Sequence, residues 1–269
     1  MQQDLELGFE KLEHRLMLAG DVSARISNSG DLVITGDAAT NTVIVSKVTV
    51  GVSSIVRLTG ILGTTVNGGT TIDLAEPTRD LRINMKGGDN RIDLVGMEGR
   101  RLSMRSGSGH DFLSLDQGNF SEMRVSSRGG DDLVYVRRSE IGENQVNTGG
   151  GDDLVFYTRV SADSSKLSLG SGADTLMSNA SEYRDTFSLR AGGGEDAAAS
   201  YQDDFATDAR IDGGGSSDSL LAAWPGGEST INGEFSPLRF ESVVMPPTNQ
   251  AFFDLLVQRG LTHRRYIEL

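Results

Sequence analysis

The chain has no cysteine, which excludes disulfides, thiolate metal sites and thiol catalysis. Aromatic residues make up only 6% of it, with a single Trp, and the strongest apolar columns take several of them into the core. Proline is scarce, at five residues in 269. No apolar run approaches the ~20 residues of a membrane span. Residues 1–20 carry acids throughout and lack the apolar stretch of a standard signal peptide. Positive charge is also short. Lys and Arg number 25 against 38 Asp and Glu, and the net charge of −13 disfavours nucleic acid as a partner. The three histidines, His14, His110 and His263, are too far apart for metal or triad spacing.

Glycine is abundant, at 34 residues, and much of it is periodic. A Gly-rich turn, an Asp or Asn and a short apolar strand recur as a box. The boxes are centred on Asn90, Asp111, Asp132, Asp153, Asp174, Asp196 and Asp218, with successive differences of 21, 21, 21, 21, 22 and 22. A period near 20 residues marks a solenoid with one repeat per coil, whereas a propeller blade needs roughly 40. Two residues after each box come Ile92, Leu113, Val134, Val155, Leu176, Ala198 and Leu220. Seven before each box come Ile83, Met104, Val125, Val146, Leu167, Leu189 and Ile211. Weaker apolar columns follow four and nine residues after the box.

Spacings of two within each coil predict strands with one buried face. The fold class expected is all-β, a parallel β-helix solenoid with 21–22-residue coils, two clear strands and one weak strand per coil. The strict six-residue pattern of a left-handed hexapeptide helix is absent, which favours the right-handed form. At about 4.8 Å per coil, six intervals give roughly 29 Å of stacked coils. Asp93 and Ser114, three residues after their boxes, are expected outside.

Three segments follow. Residues 1–28 read as an N-terminal helix or sorting segment, with Leu5, Phe9, Leu12 and Leu16 on one face. Residues 29–245 read as the solenoid. Between Ser29 and Leu74 the period loosens into hairpins or irregular coils, with Thr70 as a box lacking its acid. Residues 246–269 read as a C-terminal capping helix and tail, with Phe252, Leu255 and Leu256 on one face, placed to block a free strand edge.

The Gly-Asp boxes admit two readings. In one, glycine supplies positive φ and the Asp caps its own turn. In the other, stacked turns hold Ca²⁺, which takes six to eight oxygens from carboxylates and carbonyls. The candidate metal ligands are Asp111, Asp132, Asp152, Asp153, Asp174 and Asp196, with the best sites on either side of Asp174. Lys86 and Arg128 are placed to neutralise neighbouring acids instead.

The boxes resemble the RTX, or haemolysin-type, calcium repeat Gly-Gly-x-Gly-x-Asp-x-apolar-x. Its Gly-x-Gly-x-Asp core is intact at Gly107–Asp111, Gly149–Asp153, Gly170–Asp174 and Gly192–Asp196, and broken at the other boxes. The resemblance implies calcium as a cofactor. It is local to the turn, because RTX turns recur every 18 residues. At the N-terminus, Leu12, Glu13, Arg15 and Leu18 resemble the short sorting motif of planctomycete extracellular proteins, with His14 where Pro is common. That resemblance implies an extracellular or cell-surface location and no activity.

No catalytic constellation is present. The function expected is an exported, non-catalytic surface or matrix protein that binds calcium in its Gly-Asp turns and has a cell-surface or polysaccharide partner. The alternative is a carbohydrate-active β-helix enzyme, a polysaccharide lyase or glycosidase. It would need paired carboxylates and an aromatic sugar platform, for which Trp224 is the candidate.

Overall fold

Alternation of apolar and polar residues sets the strands, and the glycine-rich boxes set the corners between them. A computed structural model describes residues 20–205, 209–223, 235–238 and 242–244. Within these residues the chain winds into a β-solenoid with two strands per coil. Short strands follow each box: Arg91–Val95, Phe112–Asp116, Leu133–Arg137, Leu154–Thr158, Thr175–Asn179, Ala197–Tyr201 and Ser219–Ala223. They pair in parallel, box upon box, so that Ile92, Leu113, Val134, Val155, Leu176, Ala198 and Leu220 share one register. Long strands run into the next box: Asp80–Asn84, Glu98–Arg105, Asn119–Ser126, Glu140–Gly150, Ser161–Ser171, Glu182–Gly193 and Ala209–Gly215. They form the second parallel sheet.

The weak third strand is not separate in most coils. It is the first part of the long strand. Phe120 pairs with Ile141 and Glu122 with Glu143, while Ser121 and Gly142 between them are skipped. The column at this corner, Phe120, Ile141, Ala162, Tyr183 and Phe205, is at most 4% exposed. One unpaired residue is enough to bend the strand around these side chains. In the Asp196 coil the two parts do separate, as Asp204–Phe205 and Ala209–Gly215.

The apolar columns meet in one core, and two inward columns escaped the sequence pattern. One holds Leu102, Met123, Asn144, Ser165 and Phe187, and the other Met85, Ser106, Ser127, Thr148 and Leu169, all buried. Their polar members hid the period, and several of them find partners inside the core. Asn144 Nδ2 donates to Tyr157 Oη at 2.9 Å and to Ser165 Oγ at 3.2 Å. Asp93 and Ser114 are half-buried, not exposed as expected. The Arg91 guanidinium lies across Asp93 at 2.7 Å, and Ser114 sits in register between Asp93 and Tyr135.

The solenoid starts differently from the expectation. Thr70 heads no coil. Thr71–Ala75 is an antiparallel edge strand on Ser53–Gly60, which pairs antiparallel with Thr42–Val50. The true first box is Asn41. The strand after it pairs in parallel with Arg91–Val95, and its amide donates to Asn90 Oδ1 at 3.2 Å. The antiparallel meander inserted between Asn41 and Asn90 is what erased the period. The helices expected at residues 4–19 and 249–259 lie outside the described residues. Asp21–Ile26 is the first strand, antiparallel to Leu32–Thr35. Among the described residues no helix is long and apolar enough to cross a membrane.

Leu113 and Val155 are at most 2% exposed. Truncating either to Ala should cost roughly 1–4 kcal/mol in denaturant unfolding, through lost burial and cavity formation. Ser114→Ala, on the outer face, should stay within about 0.5 kcal/mol. Near-neutral values at both apolar sites would overturn the register.

Candidate functional site

Each box turn stacks closely on the one before it, and at several glycines a side chain would strike the preceding coil. Gly170 and Gly172 have φ of 116° and 128°, the region that favours glycine. A Cβ on Gly172 would also lie 2.0 Å from the carbonyl oxygen of Gly151, one coil back. The stacking favours glycine at both positions of Gly-x-Gly, and Lys86, Arg128 and Ser216 take the same places at positive φ.

Two rails of side-chain hydrogen bonds run along this corner. In the inner rail, each box carboxylate reaches back one coil and accepts the amide of the preceding box residue. The amide of Asn90 donates to Asp111 Oδ1 at 2.9 Å, Asp111 to Asp132 at 2.8 Å, and Asp132 to Asp153 at 2.8 Å. Asp153 donates to Asp174, Asp174 to Asp196 and Asp196 to Asp218, each at 2.9 Å. The Asp therefore does not cap its own turn, as the structural reading held. It caps the neighbouring coil. These acids are at most 5% exposed.

The outer rail runs the opposite way and faces solvent. Asp89 Oδ1 accepts from the His110 amide at 2.9 Å, and His110 Nδ1 accepts from the Asp131 amide at 3.0 Å. Asp131 Oδ1 then accepts from Asp152 at 2.8 Å, and Asp152 Oδ1 from Ala173 at 2.7 Å. His110 stands in for a carboxylate here, with Nδ1 unprotonated. The structure places Asp111, Asp132, Asp153, Asp174 and Asp196 together on the inner rail, and Asp152 apart from them on the outer one. Among the described residues, no three Asp, Glu or His side chains converge on a point that could hold a metal ion.

The inner rail has an unusual second oxygen. Oδ2 of Asp111, Asp132, Asp153, Asp174 and Asp218 is buried without a hydrogen-bond partner. Asn90 shows what that position asks for. Its Nδ2 donates to the carbonyls of Gly87 and Gly88, at 3.2 and 2.8 Å, and to Asp111 Oδ1 at 3.0 Å. A donor is satisfied there and an ionised oxygen is not. Burial pushes the Asp132 and Asp174 carboxyls up to about 7, and that of Asp153 upward as well. The neighbouring rail acids raise them further. The Ser127 hydroxyl donates to the Thr148 carbonyl at 3.2 Å. Asp132, Asp153 and Asp174, in the middle of the inner rail, are therefore carboxyls suited to carry a proton at Oδ2.

Two further groupings were not legible in the sequence. Tyr135 and Phe156 stack on the outer face of the short-strand sheet, with ring centroids 5.1 Å apart. They lie 21 residues apart, between half-polar columns, so no local signal marks them. A cleft of about 480 Å³ gathers Glu140, Glu143, Asp163 and Asp185 around Arg184. Arg184 pairs with Asp163 at 3.1 Å and with Glu140 at 3.7 Å. Trp224, the expected sugar platform, lies outside the described residues.

A carboxyl held near 7 in the fold keeps a proton that the unfolded chain releases near 4. Its contribution is complete below about 4 and is lost as the pH rises toward 7. Asp132→Asn keeps the Oδ1 acceptor and supplies the donor that Asn90 already shows. Its melting point should exceed the parent's at about pH 8 and match it at about pH 4.5. Asp132→Ala should fall below the parent at both, because the Asp111 amide loses its acceptor. A melting point for Asp132→Asn below the parent's at about pH 8 would refute the protonated rail.

Compared with family models, with curated proteins and with solved structures, the chain matches none.

Proposed function

We propose that the chain is an exported, non-catalytic scaffold of a cell surface or extracellular matrix, with a cell-surface or polysaccharide partner. The observation that carries this reading is the unbroken run of coil-to-coil bonds from Asn41 to Asp218 at the box corner. The box acids are spent on joining one coil to the next. Such a fold extends one repeat at a time and presents long regular faces. The resemblance of Leu12, Glu13, Arg15 and Leu18 to a sorting motif supports the location.

A second reading keeps the scaffold and adds calcium. The unpartnered Oδ2 atoms of Asp153 and Asp174 favour it, since a cation would satisfy them as a proton does. Asp111, Asp132, Asp153, Asp174 and Asp196 would supply carboxylates, while Asp152 stands on the separate outer rail. Calcium binding would stabilise the folded chain by about 2.7 kcal/mol at a hundred times the dissociation constant.

Thermal melts of the parent and of Asp174→Asn, in millimolar Ca²⁺ and in chelator, separate the two. Under the proton reading Ca²⁺ leaves both midpoints unchanged. Under the calcium reading it raises the parent's midpoint and raises that of Asp174→Asn less. Release of reducing ends from a panel of polysaccharides incubated with the protein would overturn the non-catalytic assignment.

A further inference from the structure

The outer face of the long-strand sheet carries a row of cations in a chain whose net charge is −13. Eight residues before successive boxes, one register column contains Arg82, Arg124, Lys166 and Arg210. Ser103, Gln145 and Ser188 sit between them in the same register, one per intervening coil. A cation therefore stands on every second coil, and a neutral hydrogen-bonding side chain on every coil between. The next column on this face, two residues along, adds Arg105 and Arg190, both exposed. Its one acid, Asp212, is buried, and accepts from the Gly214 amide at 3.2 Å. All this is set in a chain with 38 acids and 25 basic residues.

The first cations are fixed in place. The Arg82 guanidinium is 57% exposed and tethered by two buried acids, Asp31 at 3.1 Å and Asp80 at 3.5 Å. Arg124 is tethered by Glu122 and remains 54% exposed. Lys166, Arg105, Arg190 and Arg210 make no ion pair among the described residues. A shallow groove of about 610 Å³ runs over this face across several coils, lined by Arg82, Ser103, Arg105, Arg124, Gln145 and Asn147.

We infer that this face binds an extended acidic polysaccharide with one negative group per disaccharide, laid along the solenoid axis. Two coils rise about 9.6 Å, at the strand spacing of roughly 4.8 Å. An extended β-linked disaccharide has a length close to this. Each acidic sugar would meet a cation, and each neutral sugar a Ser or Gln. Nucleic acid fits poorly. Duplex DNA carries one charge per about 1.7 Å, far denser than this row, and single strands bind on aromatic platforms. No aromatic residue stands in either column, and Glu122 and Glu143 border the face with negative charge. The inference rests on the scaffold reading only for the class of partner, and it does not involve the box acids.

The experiment is titration of the full chain with hyaluronan oligosaccharides of increasing length, beside dextran, heparin and oligothymidylate. Hyaluronan should bind, with affinity rising up to about four disaccharides, the length that meets all four cations at about 9.6 Å spacing. Arg124→Ser and Lys166→Ser should each weaken it about tenfold, more so at low salt. Lys166 makes no ion pair, so that variant tests the face even if Arg124→Ser is misfolded. Arg159→Asn, an exposed turn residue on another face, should bind as the parent does. No binding of hyaluronan, an equal loss in Arg159→Asn, or tighter binding of heparin or oligothymidylate would overturn the inference. Those results would leave the non-catalytic scaffold reading intact, because its own test is the release of reducing ends from polysaccharides.

Discussion

The bond on which this molecule depends joins a carboxylate oxygen to a backbone amide one coil away. In a parallel solenoid the strand amides are satisfied by carbonyls of the next coil, but at a corner the chain turns and the next carbonyl is out of reach. A buried amide left there is costly. Oδ1 of each box Asp supplies the missing acceptor, so the ladder passes through the corner without a gap. The same device serves the opposite corner. There the amides of Gly118 and Val160 donate to the hydroxyls of Ser139 and Ser181, and the amide of Ser181 to Asp203 Oδ1. The acid in the Gly-Asp box acts as a length of backbone.

Charge follows from that choice. A serine can fill the role without charge, whereas an aspartate brings a second oxygen that must be buried with it. Six acids at one corner, a coil's rise apart, would repel one another if all were ionised. Asn90 meets the Gly87 and Gly88 carbonyls with an NH₂ group, and at Asp132, Asp153 and Asp174 burial and neighbouring acids favour the protonated carboxyl. Cohesion of the central coils is in this way tied to the protonation of Asp132, Asp153 and Asp174. The outer rail escapes the difficulty because Asp131 and Asp152 are solvated. It also tolerates a histidine in the row.

A solenoid turns a period in sequence into a period in space. Residues 21 or 22 apart become neighbours, and anything repeated every second coil becomes a regular row. The two sheets use this differently on their outer faces. The short-strand sheet carries Phe112, Tyr135 and Phe156, with Arg91 over the Phe112 ring at 4.4 Å. The long-strand sheet carries the alternating cations. Neither pattern is visible while the chain is read as a line.

The sequence by itself determined the coil. The even spacing of Asn90 to Asp218 and the apolar column from Ile83 to Ile211 required one side chain to stack on its equivalent, and that is a parallel solenoid. It also marked the box acids as special, because Gly-x-Gly-x-Asp is a rare demand on a turn. Only the tertiary structure decided what those acids do. Whether an Asp caps its own turn or the next coil depends on where the neighbouring amide stands, and that neighbour is 21 residues away. The start of the solenoid was hidden for the same reason, since the meander between Asn41 and Asn90 broke the count while the stacking continued. The polar inward residues Asn144, Ser127 and Thr148 were likewise out of reach, because a polar residue is allowed in a core only when its partner is known, and the partners lie on other strands.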